Sequence, residues 1–205
     1  MTTRDKSDMT TRKSVIIGTQ AWMLRNLNVR TFRNGDPVPL VTSAETWAVA
    51  AEKGLPACCF FENMSWIGSS YGKLYNWYAV NDPRGLAPEG WHIPSDQEWR
   101  QLVDFLGGKE TAGNKLKSKR EWEEPLGTNE SRFNALPGGC RDRKGEFTGF
   151  EDDNNWWKCY GYWWASTEKD EEIAWCLNLY YSNSEVYRES FFKGYGFSVR
   201  CIKDT

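Results

Sequence analysis

Apolar and polar positions divide the chain into two textures. Near the amino end, Ser14-Val-Ile-Ile-Gly18 is a short β-branched run bounded by polar residues and glycine, which predicts an N-terminal strand. Asn34-Gly-Asp-Pro37 carries turn chemistry. Ser43 then stands at the N-cap of a short helix with Trp47, Ala50 and Ala51 on one face and Gly54 as its stop. The clearest periodicity follows Pro94. Trp99, Leu102, Val103 and Leu106 fall at i, i+3, i+4 and i+7, the spacing of one buried helical stripe. Ser95 and Glu98 form a capping box at its start, each satisfying an orphan backbone N–H, and Gly107-Gly108 ends it. From Phe133 onward helical signals stop. Short runs broken by Gly, Asn, Asp and Ser take over, and 175–179 and 196–202 alternate apolar with polar residues. The pattern predicts an α+β domain: two helices early, a loop-rich antiparallel β region late, and a sheet that includes both chain ends.

Composition sharpens this picture at one point. The chain of 205 residues holds 12 Trp, 9 Tyr and 10 Phe, an aromatic load beyond what a core is expected to hide. The excess is the first hint of a binding surface. A net charge of −2 gives no basic footprint for nucleic acid. No apolar run reaches the roughly 18 residues needed to span a membrane. Residues 1–13 are polar, repeat Met-Thr-Thr-Arg from Met1 and Met9, and lack the apolar run of a signal peptide. They are expected to be a flexible tail before one domain over 14–205.

Candidate chemistry is sparse. The six cysteines (Cys58, Cys59, Cys140, Cys159, Cys176 and Cys201) allow three disulfides or a set of free, partly buried thiols, and both readings stay open. His92, the lone histidine, leads into a helix start and is read as structural. The cluster Glu168, Asp170, Glu171, Glu172 has the residue types for carboxylate catalysis or cation binding, but a solvated turn between strands is the commoner origin. Glu151, Asp152 and Asp153 are adjacent rather than spaced like calcium ligands. No phosphate-binding or dinucleotide glycine motif follows a strand. No catalytic residue, metal site or cofactor is therefore expected.

A different constellation carries information. Residues 152–162 and 178–195 are built from Tyr, Trp, Ser, Asn and Gly, the composition of an antibody-type binding surface. Adjacent pairs such as Tyr180-Tyr181 and Phe191-Phe192 point to opposite sides of a strand, so one ring of each pair is expected outside. The expected ligand-facing set is Trp156, Trp157, Lys158, Tyr160, Tyr162, Asn178, Tyr180, Tyr181, Asn183, Tyr187, Glu189, Phe191, Phe192 and Tyr195.

Eight phrases in order carry a family resemblance. They are Gly18-Thr-Gln-Ala-Trp-Met23 with Asn26-Leu27; Tyr71-Gly-Lys-Leu-Tyr-Asn-Trp-Tyr-Ala79; Leu86-Ala-Pro-Glu-Gly-Trp-His-Ile-Pro-Ser-Asp96 with Glu98-Trp99; Ala112-Gly-Asn-Lys-Leu-Lys117; Phe133-Asn-Ala-Leu-Pro-Gly-Gly139; Trp163-Trp-Ala-Ser-Thr-Glu168; Ala174-Trp175; and Gly196-Phe-Ser-Val-Arg-Cys201. Over about residues 14–204 the chain resembles the Fibrobacter succinogenes major paralogous domain, a bacterial family with a C-type-lectin-like fold. The resemblance implies terminal strands that pair and long, weakly structured loops in the C-terminal half. Some relatives are variable proteins of diversity-generating retroelements, whose adenine-templated codons are randomised to make new binding surfaces. In such proteins the fixed phrases are scaffold, and residues 149–163 and 175–196 here become the ligand-facing stretches. Adenine mutagenesis of Asn codons does not yield Trp, Glu or Lys, so Trp156, Trp157, Lys158, Glu185 and Glu189 mark part of that surface as fixed. The Glu-Pro-Asn, Gln-Pro-Asp and Trp-Asn-Asp phrases of calcium-dependent lectins do not occur, which argues against calcium-dependent sugar recognition.

The expected function is thus a display protein that binds a protein or surface-glycan ligand and is not an enzyme. The family implies a place on a cell surface, outside the cell or on a virion; the oligomeric state is left open by the sequence, with a monomer slightly favoured. Two other readings stand beside it: a structural or adhesive surface protein without one ligand, and an oxidase of the formylglycine-generating kind that shares the lectin-like fold and would need reactive cysteines.

Overall fold

The β-branched run at the amino end does form a strand, and it pairs with residues 20–23, which in turn pair with the far end of the chain. The computed structural model describes residues 14–148 and 159–205. In chain order the elements are β1 (Ser14–Ile17), β2 (Gln20–Met23), α1 (Ala44–Glu52), β3 (Cys58–Cys59), α2 (Gly68–Tyr71), β4 (Leu74–Asn76), α3 (Trp77–Val80), β5 (Trp91–His92), α4 (Asp96–Phe105), α5 (Ala112–Leu116), β6 (Cys140–Arg141), β7 (Phe147–Thr148), β8 (Tyr160–Glu168), β9 (Ile173–Tyr180), β10 (Val186–Phe192), β11 (Gly196–Ser198) and β12 (Ile202–Lys203). A four-stranded antiparallel sheet in the order β1-β2-β12-β5 seats the last strand between two early ones, so both chain ends share a sheet as expected, although β1 and β12 do not pair directly.

The two long helices lie where the periodicity places them. Ser43 caps α1 by accepting from the Thr46 N–H, and Trp47 and Ala50 are buried beneath it. Ser95 and Glu98 close the capping box of α4, a motif contributing about 1 kcal/mol. Trp99, Leu102, Val103 and Leu106 are all buried against the back of the larger sheet. The short helices α2, α3 and α5 carry no periodic stripe that could have announced them.

The C-terminal half departs from expectation. Beside a long loop over residues 117–139 it holds the longest strands among the described residues: β8, β9 and β10 run side by side in an eight-stranded sheet ordered β10-β9-β8-β11-β4-β3, with β6 pairing β11 and β7 pairing β6 off that path. Nearly every position of β8 and β9 is at least half buried, because the sheet is covered on both faces. Strands covered on both sides lose the apolar–polar alternation that would announce them. The sheet is also not wholly antiparallel, since β11 runs parallel to β8. The run 196–202, expected as one strand, is split. Gly196–Ser198 joins the large sheet and Ile202–Lys203 the terminal one. Between them Val199, Arg200 and Cys201 cross the interior, with the Val199 and Cys201 carbonyls accepting from Leu27 and Met23.

His92 bridges the sheets' periphery. Its Nδ1 lies 2.7 Å from Asp204 and its Nε2 2.8 Å from Glu98, tying β5, α4 and the carboxyl end together. Partial burial disfavours the charged ring, but hydrogen bonds to Glu98 and Asp204 outweigh it and hold the pKa above its ordinary 6.5. The folded state therefore binds this proton more tightly than the unfolded chain. The stabilisation is complete below about pH 6.5 and is lost as pH rises through the folded pKa. Replacing His92 with Gln should lower the urea midpoint at about pH 5.5 and leave it nearly unchanged at about pH 9. The half-exposed site limits the effect to under about 1 kcal/mol. An equal loss at both values would show that charge on the ring is not what matters.

Candidate functional site

Strand alternation sorts the expected binding residues into faces. In the β8–β9 register Tyr160 lies opposite Tyr180 and Tyr162 opposite Asn178; in the β9–β10 register Asn178 lies opposite Tyr187 and Cys176 opposite Glu189. Side chains two apart on a strand share a side. Tyr160, Tyr162, Asn178, Tyr180, Tyr187, Glu189 and Phe191 therefore stand on one face of the three-stranded ribbon, along with Trp164 and Cys176. The opposite face carries Trp163, Leu177, Leu179 and Val186, all buried in the cluster beneath α4.

Aromatic contacts run along the tyrosine face from open surface to core. Tyr181 meets Tyr180 edge-on at 4.7 Å, Tyr180 stacks on Tyr160 at 4.7 Å, and Tyr160 stacks on Tyr162 at 6.0 Å. Tyr162 stacks on fully buried Phe197 at 4.8 Å, and Phe197 meets Phe191 at 5.2 Å. Phe191 contacts Tyr195 at 5.4 Å. Ring pairs of this kind contribute about 0.5–1.5 kcal/mol each beyond their burial, which fixes the outer rings before any ligand arrives.

The set divides accordingly. Tyr160, Tyr180, Tyr181 and Tyr187 are half-exposed rings at the open end. Tyr162 and Phe191 are part of the core's edge. Asn178 is buried, with its amide donating to Glu189 at 3.4 Å, so it lies under the surface rather than on it. Asn183, in the β9–β10 turn, donates to the Tyr187 hydroxyl at 3.0 Å and accepts from the Glu185 N–H at 2.9 Å. Phe192 alternates to the other side of the ribbon, where Arg143 stacks over it at 4.2 Å. Tyr195 sits in the turn after β10. Of the adjacent pairs, Phe191-Phe192 places one ring outward, whereas Tyr180 and Tyr181 are both half exposed because the strand ends at Tyr180. Trp156, Trp157 and Lys158 lie outside the described residues.

The face is chemically a hydrogen-bonding and stacking surface. Burial, with the Tyr160 phenol, raises the pKa of Tyr180 against an opposing hydrogen bond to Tyr181; a hydrogen bond to Tyr180 raises that of Tyr181, and one to Glu185 raises that of Tyr187. These hydroxyls stay protonated donors at neutral pH. Partial burial also lifts the Glu189 carboxyl.

What the residue pattern did not single out is the support beneath the turn. Lys117 is fully buried, and its ammonium donates to the carbonyls of Tyr180 at 3.2 Å, Tyr181 at 3.0 Å and Asn183 at 2.7 Å. Burial pulls its pKa down to about 8. Gly113 packs so close that a Cβ there would lie 2.6 Å from the Ser184 and Glu185 carbonyls, and its N–H donates to Ser184. Both residues belong to one phrase, Ala112-Gly-Asn-Lys-Leu-Lys117, which marks them without revealing their purpose. On the far face Asp96 takes a two-pronged ion pair from Arg188, whose guanidinium lies 3.4 Å over Trp175.

Other candidate chemistry resolves into structure. No disulfide joins the six cysteines, and all six are buried. Burial pushes up the thiols of Cys58, Cys59, Cys159, Cys176 and Cys201, to about 11 for Cys58 and about 12 for Cys59 and Cys201, the reverse of what a nucleophilic thiolate needs. The acidic cluster forms the β8–β9 turn: Asp170 accepts from the Glu172 and Ile173 N–H groups, and Glu168 pairs with Lys193 at 2.7 Å. Glu151, Asp152 and Asp153 lie outside the described residues. Among the described residues no group of three or more His, Cys, Asp or Glu is placed to hold a metal ion, and no helix is long and apolar enough to cross a membrane.

Replacing Lys117 with Met should uncap three carbonyls at once and cost about 3 kcal/mol. Hydrogen exchange should then accelerate most in residues 181–186. Uniform acceleration across the sheet, or none, would remove Lys117 from this role.

Residues 15–203 match the Fibrobacter succinogenes major domain, which shows the family to which the chain belongs. No curated protein and no solved structure matches the chain.

Proposed function

We propose that this member of the Fibrobacter succinogenes major domain family is a ligand-binding display protein, which presents the tyrosine face of β8–β10 to a protein or surface-glycan ligand. On this reading the scaffold is C-type-lectin-like, and the face is of the kind that diversity-generating retroelements vary. The protein acts by binding and not by catalysis, at a cell surface, outside the cell or on a virion.

The observation that carries the reading is the graded ring ladder. Its inner rings, Tyr162 and Phe191, are bolted to the core, while Tyr160, Tyr180, Tyr181 and Tyr187 present ring and hydroxyl to solvent. Rigid, amphipathic tyrosines give contact area with little entropy to lose, and hot spots elsewhere are enriched in them. The buried, upward-shifted thiols weigh against the oxidase alternative.

The decisive comparison uses the native chain and a Tyr160→Ala, Tyr180→Ala, Tyr187→Ala variant on arrays of surface glycans and bacterial surface proteins. The native chain should capture a restricted set, and the variant should lose it by at least about 100-fold, since hot-spot rings contribute about 2 kcal/mol or more each. Its melting temperature should fall by no more than a few degrees. Capture that survives in the variant would move the ligand elsewhere. No specific capture by the native chain would favour a structural or adhesive role.

A further inference from the structure

A second site lies apart from the tyrosine face and shares no residue with it. A cavity of about 540 Å³ opens between the short turn Ser65–Ile67 and the loops of residues 118–136. Trp66 stands at its edge with 74% of its surface exposed, the most exposed tryptophan among the described residues. A large bare ring on a cavity rim is a stacking platform, and none of the described residues covers it.

The lining is strongly cationic in a chain whose net charge is −2. Arg25, Lys119, Arg120 and Arg200 line it against a single carboxylate, Glu121, which already accepts from the Tyr71 hydroxyl at 3.0 Å. Arg25, Lys119 and Arg120 make no ion pair among the described residues. Arg200 is 1% exposed. Its Nε and Nη2 donate to Asn26 and its Nη1 to the Met23 and Phe133 carbonyls. A guanidinium has five N–H donors, so one on Nη2 has no acceptor among the described residues. Arg200 thus brings to this cavity a buried positive charge that no carboxylate balances.

The backbone around the cavity is held in costly conformations. Glu121 has φ 74, Asn129 φ 51 and Asn134 φ 57, all left-handed. Asn tolerates that region, Glu much less, and such residues persist where surroundings over-determine them, often at ligand sites. Asn129 Oδ1 accepts from the Asn134 N–H at 2.9 Å and its Nδ2 donates to Asn134 Oδ1 at 3.4 Å, so the Asn134 Nδ2 is the amide donor these two residues bring to the wall.

We propose that this cavity binds an acidic saccharide, with a sugar ring stacked on Trp66 and its carboxylate drawn to the Arg25, Lys119, Arg120 and Arg200 cluster. A sugar ring offers a flat C–H face for the indole. Its hydroxyls, each both donor and acceptor, can accept from Asn134 Nδ2 and from the exposed arginine and lysine donors. The carboxylate supplies the counter-charge that the cavity lacks.

Calorimetric titration of the full chain with oligogalacturonate, a matched neutral galactose oligomer and ATP tests this. The acidic oligomer should bind saturably with a Kd at or below about 1 mM, weaken as salt rises, and exceed the neutral oligomer by at least about tenfold. Trp66→Ala and Arg120→Glu, both at exposed positions, should each lose at least about tenfold while circular dichroism and melting stay unchanged. Absence of saturable binding, equal binding of the neutral oligomer, or native affinity in both variants would overturn the proposal. Tighter binding of ATP than of the acidic oligomer would also overturn it and assign the cavity to phosphate-bearing ligands.

Discussion

A single amide oxygen in the core ties together segments from both ends of the chain. Asn26 Oδ1 accepts from Arg200 Nε at 3.0 Å, Arg200 Nη2 at 2.8 Å and Trp163 Nε1 at 2.9 Å. Its Nδ2 donates to the Tyr71 carbonyl and to Ser198 Oγ. One side chain near the amino end thereby fixes β8, the approach to β4 and the link between β11 and β12. Removing one partner from such a buried charged network typically costs about 3–5 kcal/mol, a large part of a domain's stability. The tyrosine face depends on it, because β8 supplies that face and Trp163 anchors β8 from behind.

Burial lowers the Arg200 pKa to about 9, and backbone carbonyls and the Phe133 ring, 4.3 Å away, compensate where no carboxylate does. Arg141 repeats the arrangement: it donates to the Gly145, Val41 and Thr42 carbonyls and lies over Trp47 and Phe147. Lys117 does the same with three carbonyls and Trp122, and Lys193 lies 4.7 Å over Trp77. Aromatic faces here serve as partners for buried cations. This changes the meaning of the aromatic excess. Trp22, Trp47, Trp77, Trp91, Trp99, Trp122, Trp163 and Trp164 are all buried, so tryptophan builds the interior while tyrosine supplies the candidate surface.

The legibility of the chain followed this division of labour. Local chemistry was readable: Ser43, the Ser95–Glu98 box and the stripe from Trp99 to Leu106 act as their spacing implies, because capping and helical periodicity are local. Strands covered on both faces were only partly readable. Nothing in 160–168 alternates cleanly, so β8 was hidden, whereas β9 showed through the alternation of 175–179; the break at Val199–Cys201 came from Arg200's turn toward Asn26. In the candidate site, composition located the region but not its sides. Only register separates Tyr160, Tyr187 and Asn178 from Phe192 on the reverse face, and only burial separates the outward tyrosines from Asn178 between them. Lys117 and Gly113 were visible as a family phrase, yet their task is a long-range contact that no local pattern encodes.

The account's central claim is that the outer tyrosines are presented for binding while the inner aromatics belong to the scaffold. Ring-labelled tyrosine NMR on adding a ligand captured from the arrays tests it within one molecule. Signals of Tyr160, Tyr180, Tyr181 and Tyr187 should shift or broaden, and those of buried Tyr71 and Tyr75 should stay in place. Movement of Tyr71 or Tyr75 with the outer four unchanged would contradict the claim.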